Sequence, residues 1–111
     1  MQFQHINGPS TVTLFAWHVF EVKLPSAKVK TWHLCGVRGE TGNGKVSSPI
    51  SSIDPKSLRC LTRSGQIYEV QGAPGTNSDA LAAKGQWLYI NRAQEERNVT
   101  PEFLSLKSSS A

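Results

Sequence analysis

The sequence predicts an α+β fold: a mostly antiparallel β-sheet, or small barrel, of about five strands with one C-terminal helix. Three observations point there. Two segments rich in β-branched and aromatic residues run from Val12 to Leu24 and from Val29 to Val37, and an Asn43-Gly44 pair sits between strand-like flanks. After a Gly72–Asn77 break the composition changes to strong helix formers. At 111 residues the chain can bury one core but hardly two, so residues 1–111 are read as a single β-rich domain.

The leader, residues 1–10, ends in the turn-forming cluster Asn7-Gly8-Pro9-Ser10 and is expected to be loosely held. In the strand that follows, Phe20, Val22 and Leu24 alternate with Glu21 and Lys23, which describes a half-buried strand. Its first half, Leu14-Phe15-Ala16-Trp17, is apolar on both faces, as in a strand covered on two sides, with a short helix as the alternative. Pro25–Lys28 reads as a turn. The second strand places Trp32 and Leu34 on one face and Thr31, His33 and Cys35 on the other.

Gly39–Gly44 accepts positive φ at several positions, and its Asn-Gly pair predicts a hairpin into a third strand, Lys45–Ile53. Pro49 within that strand implies a sheet edge or a bulge. Leu58–Thr62 and Ile67–Val70 form a fourth and fifth strand around a tight Arg63–Gln66 turn. Ser78 or Asp79 caps a helix through Ala80-Leu81-Ala82-Ala83-Lys84, with Leu81 and Leu88 on one face. If Gly85 interrupts it, Gln86–Ile90 becomes a closing strand instead. Ala93–Asn98 is charged, Thr100-Pro101 starts a short turn carrying Phe103 and Leu104, and the serine-rich end within 105–111 is expected to fray.

Twelve basic residues oppose eight acidic ones, for a formal charge of +4 and a pI near 9.3. Such a balance can attract nucleic acid, yet the cations are scattered and form no run of the kind that marks a basic targeting or RNA-binding segment. The apolar stretch Val12–Phe20 contains His18 and has neither a basic leader nor a cleavage site, so a soluble cytoplasmic protein without a membrane segment is expected. Cys35 and Cys60 belong to no CxxC pair and read as small core residues, with no disulfide required.

No motif for a reaction survives inspection. Gly39-Glu40-Thr41-Gly42-Asn43-Gly44-Lys45 matches a phosphate-binding loop up to the lysine, but Val46 stands where Ser or Thr must hold magnesium, and a strand follows instead of a helix. His5, His18 and His33 lie at no metal-ligand spacing. His33 and Cys35 share a strand face, which permits a thiol–imidazole contact without indicating one. Serines occupy no nucleophile elbow, and Glu21, Glu40, Asp54 and Glu69 are dispersed. No catalytic residue, cofactor or metal is therefore expected, and the chain is not read as an enzyme.

A binding surface is the better reading. Lys45, Arg59, Arg63 and Tyr68 are its candidate residues, since small β-barrels bind single-stranded nucleic acid with aromatic platforms and basic side chains, to which Trp32 would add. The order Lys45-Val46-Ser47-Ser48-Pro49-Ile50, Thr62-Arg63-Ser64-Gly65 with Tyr68, and Gly72-Ala73-Pro74-Gly75 loosely resembles short uncharacterised proteins of bacterial accessory genomes, phages and plasmids, over about residues 30–90. That resemblance implies a small stand-alone β-rich protein of mobile DNA and transfers no activity, cofactor or site. The expectation is a non-enzymatic interaction protein, in its specific form a phage or mobile-element inhibitor or accessory factor on a host protein or nucleoprotein complex. The alternative is a nucleic-acid-binding barrel.

Overall fold

The alternating segment expected at Val12–Leu24 is a twelve-residue strand, β2 (Val12–Lys23), around which the sheet is arranged. The computed structural model describes residues 1–109. Its other strands are β1 (Gln2–Phe3), β3 (Thr31–Arg38), β4 (Gly44–Val46), β5 (Ile50–Ile53), β6 (Cys60–Thr62), β7 (Ile67–Val70) and β8 (Gln94–Asn98). Two helices, α1 (Ser78–Ile90) and α2 (Thr100–Ser109), complete the set. Ser110 and Ala111, the end of the tail expected to fray, lie outside the described residues.

Strand order is β1-β5-β6-β7-β2-β3-β4, and β8 pairs with β2 off that path. β1 runs parallel to β5 and β7 parallel to β2, while the remaining pairs are antiparallel, so the sheet is mixed and does not close into a barrel. The α+β class holds; the count of about five strands and one helix does not. Pro49 lacks an N–H for the ladder and splits the expected third strand into β4 and β5, with a register shift between Ile50 and Ser52. β1 is too short, and β8 too charged, to announce itself as a strand. The Asn43-Gly44 hairpin is present, pairing Val37 with Gly44 and Cys35 with Val46.

β2 carries apolar residues on both faces because it changes parity. Ala16 and Trp17 together oppose Gly36, and Ala16 takes φ 46°, which makes a β-bulge. Gly36 is required opposite it: a Cβ there would lie 2.9 Å from the Phe15 carbonyl oxygen and 3.1 Å from the Trp17 Cβ. Before the bulge Val12 and Leu14 face the larger core; after it Trp17 and Val19 do, freeing His18, Phe20 and Val22 for the opposite face. Phe15, expected to be covered, is 43% exposed and lies over Gly39.

The larger core gathers Val12, Leu14, Trp17, Val19, Leu34, Ile53, Tyr68 and others beneath α2, whose Phe103 meets Trp17 edge-on at 5.7 Å. The smaller core, Phe20, Val22, Cys35 and Ala80, lies between β2, β3 and α1, with Trp87 and Leu88 packed against it. Within the leader, the Ile6 side chain is buried and its N–H donates to Asp54 Oδ2 at 3.0 Å.

The cap of α1 is Asn77 and not the expected Ser78 or Asp79: Asn77 Oδ1 accepts from the N–H groups of Asp79 and Ala80. The helix runs unbroken through Gly85, and no closing strand forms. Ala80, Lys84, Trp87 and Leu88 recur at helical spacing on the inner side, and their packing outweighs the glycine's cost of about 0.5–1 kcal/mol. Leu81 and Leu88 do not share an environment, since Leu81 is 41% exposed. The helix ends on a left-handed cap. Arg92 has φ 52°, the Arg92 N–H donates to the Tyr89 carbonyl and the Ala93 N–H to the Leu88 carbonyl. The residue in that left-handed position is usually glycine, and here it is an arginine.

Candidate functional site

His33, Cys35 and Lys84 are held by contacts between elements. His33 Nδ1 donates to the Ser47 carbonyl at 2.9 Å, and its Nε2 is hydrogen-bonded with Thr31 Oγ1 at 2.7 Å. That ring stacks on Phe20 and touches Trp87, and burial holds its pKa below the ordinary 6.5. Cys35 Sγ donates to the Ala80 carbonyl instead of meeting His33, and burial pushes its thiol up to about 11. Cys60 is likewise a buried free thiol, pushed further up by burial alone. Lys84 Nζ lies 2.6 Å from Glu96 Oε2 and 3.1 Å from His18 Nε2, and sits over the Phe20 ring. This cluster ties α1 to β2 and β8.

The three histidines do not converge: His5 pairs with Asp54, His18 with Lys84, and His33 with Thr31 and Ser47. Among the described residues, no group of three or more His, Cys, Asp or Glu is placed to hold a metal ion. No helix among them is long and apolar enough to cross a membrane.

The residues expected to form a binding surface do not present one exposed face. Tyr68 is 1% exposed within the larger core, and burial raises its phenol to about 12. From there it cannot stack on a base. Arg59 anchors the leader, donating from Nη1 to the Ile6 carbonyl at 2.8 Å and from Nη2 to the Gly8 carbonyl, with Nε facing Glu69. Trp32 donates to Glu21 at 3.0 Å. Lys45 is half-buried on β4 and Arg63 is exposed in the β6–β7 turn, with no hydrogen bond or ion pair joining them to each other or to Arg59.

A different surface stands out at α1. An amphipathic surface helix normally turns its charges outward. Here Lys84 points inward, and beyond the first turn the outer side consists of Leu81, Ala82, Gly85, Gln86, Tyr89 and Ile90, without a charge. Tyr89 is 86% and Ile90 75% exposed. At this end of the helix, Lys23, Pro25, Arg92 and Gln94 line a shallow pocket of about 310 Å³. In the β2–β3 loop Val29 and Lys28 are exposed, and Lys30 reaches Glu95 at 3.7 Å.

Sequence reasoning missed this surface by weighing Gly85 as an interruption; the signal available was that Ala80–Ile90 carries a single charge, Lys84, and has apolar residues on both sides of the helix. A further groove, about 470 Å³ beside Phe3, His5 and Lys56, contains Asp54. That carboxylate is already engaged by Ile6 and Lys56 N–H groups and by His5, so it organises a turn. No family model matches the chain, and neither a curated protein nor a solved structure matches it.

Proposed function

We propose that this protein is a small interaction module, without a catalytic role of its own, that docks on a partner protein through the outer face of α1. The observation that carries the reading is the helix with apolar residues on both sides and only one side covered. Large exposed apolar side chains grouped on one element mark interaction surfaces more often than they mark solvated ones. Tyr89 and Ile90 are of the kind that anchor interfaces. In its specific form the module is a phage or mobile-element inhibitor or accessory factor on a host protein or nucleoprotein complex, a form that rests on the sequence resemblance alone. The free thiols Cys35 and Cys60 fit a reducing, cytoplasmic setting.

The test is a photo-crosslinking residue placed at position 89, and separately at position 56, in the chain expressed in bacterial cells. Adducts of defined mass from position 89 that Ile90→Glu abolishes support the reading. Equal adducts from both positions, or none from position 89, refute it.

A second reading, binding of single-stranded nucleic acid, draws on Lys23 and Arg92 lining the pocket next to the C-terminal end of α1. It requires affinity for an oligonucleotide that falls steeply with salt.

A further inference from the structure

We infer that the partner segment received at the C-terminal end of α1 is acidic and amphipathic, a stretch of protein that sets carboxylates beside large apolar side chains. The inference rests on the docking reading above and names its chemistry. Lys23 and Arg92 line the pocket here, Lys23 Nζ donating to the Leu24 and Ala27 carbonyls, and Lys30 in the β2–β3 loop faces Glu95 at 3.7 Å. The nearby Glu21 and Glu96 are matched by their own cations, Arg97 and Lys84. Lys28 and Arg92 make no ion pair or side-chain hydrogen bond among the described residues, and both are exposed. Arg92, two residues past Ile90, thus sets an unpaired cation next to the most exposed apolar side chains of α1.

The helix terminus does not consume these cations. The carbonyls of Trp87, Leu88 and Tyr89 are met from within the cap, by Asn91 and by the backbone N–H groups of Arg92 and Ala93. The Arg92 guanidinium is thus left for a partner, on a residue whose backbone adopts a conformation that glycine adopts more cheaply.

Charge complementarity selects the occupant. Protein surfaces meet with opposite potentials facing one another, and a carboxylate beside an apolar anchor answers Arg92 beside Tyr89 or Ile90. A nucleic acid would answer the cations but leave Ile90 and Val29, 75% and 72% exposed, without an apolar counterpart. A second copy of this chain would bring cations onto cations.

The experiment titrates the full chain with three fluorescein-labelled probes in one low-salt buffer. They are an amphipathic leucine–glutamate peptide, the same peptide with lysine for every glutamate, and an oligothymidine. The glutamate peptide should bind about tenfold or more tightly than the lysine peptide. Arg92→Gly combined with Lys28→Ser should erase that preference, and Ile90→Ser should weaken binding while thermal melts show each variant folded. Equal affinity for the two peptides, or no binding of the glutamate peptide, overturns the inference. Adducts from position 89 would then still uphold docking itself. Oligothymidine bound in preference to the glutamate peptide, with the same loss in the Arg92 and Lys28 variant, overturns it in favour of nucleic acid. Sedimentation showing that α1 covers itself in a dimer overturns it in favour of self-association.

Discussion

Lys84 Nζ donates to His18 Nε2 at 3.1 Å, so the His18 ring is neutral and carries its proton on Nδ1. Burial lowers the pKa of His18 first and the Lys84 charge second, opposed by Glu96 and by the Gly75 carbonyl. His33 is lowered by burial as well, with Arg63 a small addition and the Ser47 carbonyl opposing it.

A pH dependence follows with a definite sign. Both rings resist protonation in the folded protein more than in the unfolded chain, so the unfolded state takes up protons first as the pH falls. The stabilisation is complete above the ordinary histidine value of 6.5 and is lost as the pH descends from there toward the lowered folded values. Urea midpoints measured from about pH 8 down to about pH 5 should fall on the acid side. His18→Gln should flatten part of that decline. An unchanged midpoint across the range would remove the neutral, Lys84-bonded ring from the account.

Two glycines should respond oppositely to the same methyl group. A Cβ on Gly44 would meet the Asp79 carbonyl, 2.8 Å from its carbon and 2.9 Å from Ala80 Cα, so α1 would have to move off β4. Gly44→Ala is expected to cost about 1–3 kcal/mol. A Cβ on Gly85 meets nothing within 4 Å and would improve the helix, so Gly85→Ala should stabilise by about 0.5–1 kcal/mol. Chemical denaturation of both variants checks the pair.

Arg92→Gly should raise stability. At φ 52° the arginine sits where glycine is free of steric penalty, and relief of about 1 kcal/mol is expected from that position. Calorimetry on the variant would show it as a higher midpoint. A lower midpoint would mean that the arginine side chain contributes packing that its exposure conceals.

The two thiols should be inert while the protein is folded. With the Cys35 thiol moved from an ordinary 9.0 to about 11, its thiolate fraction at mildly alkaline pH drops roughly a hundredfold, and Cys60 is buried more deeply still. A disulfide-exchange reagent should label neither site in native buffer and both in denaturant. Rapid native labelling of one equivalent would show that α1 opens over Cys35.

Local pattern was a good guide where one residue's neighbours in sequence are also its neighbours in space. The alternation of Phe20, Val22 and Leu24, the Asn43-Gly44 turn, and the Cys60–Thr62 and Ile67–Val70 hairpin all belong to this class. β8 was not legible because Gln94–Asn98 has no apolar alternation. It becomes a strand by completing the edge of β2 that β7 leaves unpaired, with Phe20 opposite Asn98 and Glu21 opposite Arg97. Tyr68 and Arg59 looked like surface residues because aromatic and basic side chains serve both surfaces and interiors. Only the segments that pack against them, the leader on Arg59 and the larger core around Tyr68, settle which.

By itself, then, the sequence determined an α+β domain, its long strands, its turns and the helix after Asn77, because φ/ψ preference and hydrophobic period act over a few residues. The tertiary structure decided the parity change at Ala16, the parallel pairings of β1 and β7, the inward turn of Lys84 and the bare outer face of α1. Those outcomes depend on contacts between segments tens of residues apart, which carry no signature in the short-range pattern of either partner.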